Sequence, residues 1–177
     1  MRKVLLVSAS VLALGIGNAA AQQITVIENG TDNTNNINQL AAGTNSSIYV
    51  EQSGNGGFGG GFSENVFIDQ SSSGADSTIS VIQSGNNASA RLFQFGSSAT
   101  ANAIDVIQGG ADNSADVNQN GDGLVATVNQ QGLFNNATTV QDGSDQTITL
   151  DQLGENNFAT LNQFSSDNLA RRRLQYR

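Results

Sequence analysis

Gln130-Gln131-Gly132-Leu133-Phe134-Asn135-Asn136-Ala137-Thr138-Thr139-Val140-Gln141 is the stretch that decides the fold of this 177-residue chain. One Gln opens it and another stands 11 residues on. Gly follows the first by two, and Asn precedes the second by six. The spacing runs outward from here. Gln108, Gln119, Gln130, Gln141, Gln152 and Gln163 are 11 residues apart at every step, as are Gln83 and Gln94, and Glu28 stands 11 before Gln39. From Gln39 to Gln52, Gln52 to Gln70, Gln70 to Gln83 and Gln94 to Gln108 the steps are 13, 18, 13 and 14. Those steps hold insertions of two, seven, two and three residues. A fixed period of this length marks a repeat protein, in which each unit buries its apolar face by stacking on its neighbours.

In most units the residues four and two before Gln are apolar, as in Ile104 and Val106 or Ile148 and Leu150, and the residues between them are mostly polar. Alternation of period two bounded by Gly and Asn predicts a half-buried strand and a tight turn, with Gly supplying positive φ. Four before Gln, one set of units carries Ile24, Ile48, Ile79, Ile104, Ala126 and Ile148. The set in between carries Asn35, Val66, Ala90, Ala115, Ala137 and Ala159. Large residues alternating with small ones predict two facing sheets, with Ile104 opposite Ala115 at constant core volume. The expected fold is therefore an all-β solenoid of about six coils of roughly 22 residues, each a strand–turn–strand, with parallel in-register sheets. At about 4.8 Å per coil this is a rod on the order of 30 Å long.

Stacked coils place identical side chains above one another. Gln39, Gln52, Gln70, Gln83, Gln94, Gln108, Gln119, Gln130, Gln141, Gln152 and Gln163 are expected to form buried amide ladders, joined by Asn33, Asn102, Asn113, Asn135 and Asn157. A ladder satisfies amides that would each cost about 1–3 kcal/mol if buried unpaired.

Composition excludes several functions. The chain has no Cys, His, Trp or Pro, and only 12% of its residues are charged. Disulfides, the common zinc centres and Ser–His or Cys–His nucleophiles cannot be built from it. Arg2 and Lys3, an apolar run from Val4 to Ile16 and Ala19-Ala20-Ala21 read as a secretory signal peptide over residues 1–21. The apolar run is shorter than the roughly 20 residues that span a bilayer. Without that segment, five arginines face fifteen acids, and four of the five lie in the last seven residues. Residues 22–169, the repeat domain, are thus strongly acidic, which argues against nucleic acid as a partner.

Other motifs are weaker. Gly54-Asn55-Gly56-Gly57-Phe58-Gly59 matches a dinucleotide fingerprint in letters, but no strand–helix context surrounds it, and residues 53–63 read as a Gly/Phe insertion. Gly109-Gly110-Ala111-Asp112-Asn113 is similar to a calcium-binding β-roll turn, yet the period here is 11 instead of nine. The carboxylates sit mostly outward or in turns. No catalytic residue, metal or cofactor is expected. At the N-terminal end, Ile24 and Val26 lie on an apolar, uncharged strand that offers an open edge template. At the other end, residues 170–177 form a basic tail carrying Arg171, Arg172, Arg173 and Arg177. Its register points Arg172 inward, and burying an unpaired guanidinium costs several kcal/mol. The tail strand is therefore expected to be frayed or displaced, and its charge to serve surface attachment or edge capping.

The unit Gln-x-Gly-x-x-Asn-x-Ala-x-[apolar]-x-Gln resembles the curlin repeat of curli subunits. It is carried by residues 130–141 and again by Gln152-Leu153-Gly154-Glu155-Asn156-Asn157-Phe158-Ala159-Thr160-Leu161-Asn162-Gln163. The resemblance spans residues 22–168 and implies an extracellular amyloid fibre of bacterial biofilm and cell adhesion. It also implies export through an outer-membrane pore. The partners it implies are copies of the same chain, other curli-type subunits, and secretion and accessory proteins. A basic final repeat resembles that of the minor, surface-anchored nucleator, with contact to the outer membrane. Glu28, Asn35 and the 53–63 insertion depart from the pattern. A rival from another class is a monomeric secreted solenoid that binds ice or a glycan through a flat face, for which Thr127 and Thr149 share one outward column.

Overall fold

The computed structural model describes residues 23–29, 33–39, 46–53, 65–72, 76–96 and 101–175. The signal peptide expected at 1–21, all of the 53–63 insertion but its first residue, and Arg177 lie outside the described residues. Thirteen strands follow one another, and no helix occurs among the described residues: β1 (Gln23–Glu28), β2 (Thr34–Gln39), β3 (Ser47–Gln52), β4 (Asn65–Ser72), β5 (Thr78–Gln83), β6 (Ser89–Gly96), β7 (Ala103–Ala111), β8 (Ser114–Asp122), β9 (Val125–Leu133), β10 (Asn136–Ser144), β11 (Thr147–Glu155), β12 (Phe158–Ser166) and β13 (Leu169–Gln175).

Odd strands form a seven-stranded sheet in the order β1-β3-β5-β7-β9-β11-β13, and even strands a six-stranded sheet from β2 to β12. Every pairing is parallel. The register keeps the repeat: Ile104 pairs with Ala126 and Ala126 with Ile148, while Ala115 pairs with Ala137 and Ala137 with Ala159. The insertions do not disturb it, because Gln52 still pairs with Gln83, 31 residues away. This is the β-solenoid of about six coils that the Gln spacing predicts. The alternation survives as burial: Ile104, Val106 and Gln108 point inward while Asp105 and Ile107 are half-exposed. Val106, Val117, Val128 and Leu150 are fully buried along the axis of the core, each contributing roughly 1.5–3 kcal/mol by removal from water.

The facing of the two sheets differs from the expectation. Gln119 reaches across the core and donates from Nε2 to the Ala103 carbonyl at 2.9 Å, and Gln130 donates to the Ser114 carbonyl at 3.0 Å. The end of each strand therefore lies opposite the start of the strand before it. Ile104 stands against Gln119, and Ala115 against the Gln column of the other sheet. Opposed strands run antiparallel across the core, so the position four before Gln meets Gln itself. The small alanines make room for an amide, not for an isoleucine.

The turns also differ in detail. From β7 to β12 each strand runs nine residues, past the position two after Gln, before the chain reverses. Gly132 has φ +120, and a Cβ there would lie 2.0 Å from the Gly154 carbonyl oxygen of the next coil. Only glycine allows coils to stack this closely at that point. The reversal itself falls two residues later, at left-handed residues such as Asp112, Phe134 and Asn156, with φ between 56 and 57. These arcs are stacked as well, since Asn156 N–H donates to the Leu133 carbonyl at 2.9 Å.

The described part of the basic tail is not frayed. Residues 169–175 pair in register with β11, from Thr147 opposite Leu169 to Leu153 opposite Gln175. Arg172 is tolerated because the even sheet stops at β12. Among the described residues no strand faces β13, so its inward side remains open and Arg172 is exposed.

Candidate assembly interface

Two amide ladders run the length of the core. In the odd sheet Gln52 donates to Gln83, Gln83 to Gln108, Gln108 to Gln130 and Gln130 to Gln152, at 2.7–2.9 Å. In the even sheet the chain is Gln39, Gln70, Gln94, Gln119, Gln141 and Gln163, at 2.7–3.2 Å. The second N–H of most rungs goes to a main-chain carbonyl of the facing sheet: Gln108 to Ser89, Gln141 to Val125 and Gln152 to Asn136. An interior rung thus uses both donors and accepts at its oxygen, which satisfies a wholly buried amide. The fixed carbonyl also dictates which way each amide points. Both ladders therefore have one polarity, with N–H toward the C-terminal coil and C=O toward the N-terminal coil.

Two further columns lie in the turns, Asn113, Asn135 and Asn157 in one, and Asn102 with the residues stacked on it in the other. Asn113 donates to the Gly109 and Gly132 carbonyls, and Asn135 to the Gln131 and Gly154 carbonyls. Asn102 donates to the Gly121 carbonyl. Each side-chain oxygen accepts a main-chain N–H from the next coil: Leu124 onto Asn102, Asn135 onto Asn113, and Asn157 onto Asn135. The pattern clamps coil to coil at the arcs. Asn33 lies outside it, for neither polar atom of its side chain has a hydrogen-bond partner among the described residues. Gln146 belongs to the Asn102 column though its type differs: it donates to the Asp142 carbonyl at 3.0 Å and to the Ser165 carbonyl, while its Oε1 has no partner among the described residues. It stands six before Gln152, so its offset is the signal in the sequence.

At the N-terminal end two departures from the repeat meet. Glu28 occupies the first rung, next to Gln52, where a carboxylate cannot donate as Gln would. Asn35 supplies the missing donor, giving one Nδ2 hydrogen to Glu28 Oε1 at 2.6 Å and one to Gln52 Oε1 at 2.7 Å. Gln39 Oε1 is buried without a partner among the described residues. Ile24 and Val26 pack on the core cluster, and β1 is the terminal strand of its sheet.

At the C-terminal end Gln163 closes the even ladder, and Leu174 stands in the rung beyond Gln152. Asn157 Oδ1 is buried and has no partner among the described residues. Phe158, Phe164 and Leu169 are 68%, 62% and 75% exposed, the largest apolar exposures among the described residues. Arg171, Arg172 and Arg173 are exposed beside them. Elsewhere Arg91 pairs with Asp116 at 3.5 Å and lies over the Phe93 ring. Tyr49 donates to Glu51 Oε2 at 2.7 Å. That hydrogen bond, then burial and the Glu51 charge, raise the Tyr49 phenol above its ordinary range. Among the described residues no three acidic side chains converge on a point that could hold a metal ion.

No protein-family model, curated protein or solved structure matches the chain.

Proposed function

We propose that this protein is the structural subunit of an extracellular fibre, secreted through the signal segment at residues 1–21 and polymerising end to end for biofilm matrix and cell adhesion. One observation carries the reading. Both sheets reach the ends of the described fold with an unpaired strand edge, and near each end a buried polar atom has no partner among the described residues, Gln39 Oε1 in the even ladder at one end and Asn157 Oδ1 in the turns at the other. Open edges of this kind template further strands, and solenoids that stay monomeric cover them with polar caps. The curlin resemblance supports the same function and adds a bacterial cell surface as its place. Arg171 and Arg173, exposed on the last strand beside an acidic body, support contact with an anionic outer membrane.

The flat-face reading is less well supported. The outward column of the odd sheet runs Thr25, Tyr49, Ser80, Asp105, Thr127, Thr149 and Arg171 in register. A column that mixes hydroxyl, phenol, acid and base does not match a regular lattice.

The test is assembly of purified residues 22–177 at tens of micromolar, followed by thioflavin fluorescence and electron microscopy. Fibres are expected, and added salt is expected to shorten the lag because it screens repulsion between acidic subunits. Lowering the pH toward 4, where carboxylates begin to lose charge, is expected to act in the same direction. A chain that stays monomeric for days under these conditions contradicts the proposal.

A further inference from the structure

The two sheets end at different heights. Seven odd strands and six even ones leave β13 without a facing strand, and the layer beyond β12 empty among the described residues. We propose that this layer takes β1 of a second copy, so that successive subunits are turned by about half a revolution around the rod. The inference rests on the fibre reading above and specifies its joint.

The alternative, in which a second copy stacks without rotation, puts its β1 on β13 and its β2 one layer further on. The even sheet would then have a vacancy one strand wide, with a span of about 9–10 Å between β12 and the next strand at a spacing of 4.7–4.9 Å. Gln163 and the buried Asn157 Oδ1 would face that void. With the half-turn, β1 lands on β12 and β2 on β13, and both sheets continue without a break.

Register and chemistry agree with the half-turn. Extending the observed in-register pairing places the second copy's Ile24 on Ala159, its Val26 on Leu161 and its Glu28 on Gln163. Aliphatic residues meet aliphatic residues, and the donor end of the even ladder meets an acceptor-only carboxylate. On β13 the two arrangements differ little, since the half-turn sets Ile37 on Arg172 and Gln39 on Leu174 where stacking without rotation sets Val26 and Glu28 there, so the half-turn is favoured by the filled layer on β12.

The joint also explains the two residues that most depart from the repeat. Across the core, the position four before the ladder residue faces the ladder residue of the opposite strand, as Ile104 faces Gln119. In the completed layer β13 therefore faces the second copy's β1, with Ala170 opposite Glu28 and Leu174 opposite Ile24. The small Ala170 leaves the Glu28 carboxylate beside Arg172, an inward cation beside an inward anion. Asn35 already holds one oxygen of that carboxylate at 2.6 Å. Gln163 and Arg172 supply the remaining donors, which satisfies the pair as it becomes buried.

Cysteine cross-linking tests this directly, since the chain has no cysteine of its own. Thr25→Cys and Thr160→Cys variants are mixed, assembled and oxidised with copper phenanthroline. A parallel mixture combines Thr25→Cys with Arg171→Cys. Neighbouring strands at about 4.8 Å lie within the Cα separation a disulfide spans. The half-turn joint predicts covalent dimers in the 25/160 mixture and none above the single-variant background in the 25/171 mixture. Dimers in the 25/171 mixture alone, or fibres with neither cross-link, overturn the joint while leaving the fibre reading intact. Failure of the unsubstituted chain to form fibres overturns the reading on which the joint rests.

Discussion

A buried glutamine is held by three hydrogen bonds that no other residue supplies. Gln119 accepts from Gln94, donates to Gln141 and donates to the Ala103 carbonyl. Gln119→Ala would leave those groups unpaired in a dry core and open a cavity, at a cost of roughly 3 kcal/mol or more. Asp116→Asn, three residues earlier and outward, touches only the exposed pair with Arg91, and its effect should stay within about 0.5 kcal/mol. Guanidinium unfolding of freshly desalted monomer measures both, and equal midpoints would refute the ladder assignment. The rungs are legible in the sequence because a ladder requires the same residue at the same offset in every coil. Their polarity is not, because it depends on which carbonyl of the opposite sheet each amide meets. The same gap explains the misplaced Ile104–Ala115 contact: volumes along the chain do not reveal that opposed strands run antiparallel.

The coil is shaped by glycine where backbones approach closely. At Gly132 an added methyl would meet the Gly154 carbonyl, a main-chain atom that cannot swing aside, in a conformation with φ +120. At Gly109 the same methyl would meet the end of the flexible Gln131 side chain, and φ is not in the left-handed region. Gly132→Ala should therefore destabilise by at least about 2 kcal/mol, and Gly109→Ala by about 1 kcal/mol or less. Hydrogen exchange at the arc amides, Asn156 among them, gives the local readout. Loss of protection in both variants alike would contradict the close-stacking role. Strand existence is legible from alternation, whereas strand length is not, since the chain stays paired through glycines that read as turn residues. The last strand departs from expectation for a different reason. Arg172 is unburiable only if a facing strand is assumed, and the even sheet provides none.

At the scale of the whole molecule, the thirteen described strands occupy six and a half layers, which sets the step of the proposed fibre. In the proposed fibre each subunit keeps its folded solenoid and adds all its layers at once. Cryo-electron microscopy of fibres grown from residues 22–177 measures this as the axial rise per subunit. A folded solenoid that joins end to end predicts a rise of about 31 Å, with strand layers at about 4.8 Å and a rotation near 180° between neighbours. A rise of about 4.8 Å per subunit, with every copy flattened into a single layer, would contradict it.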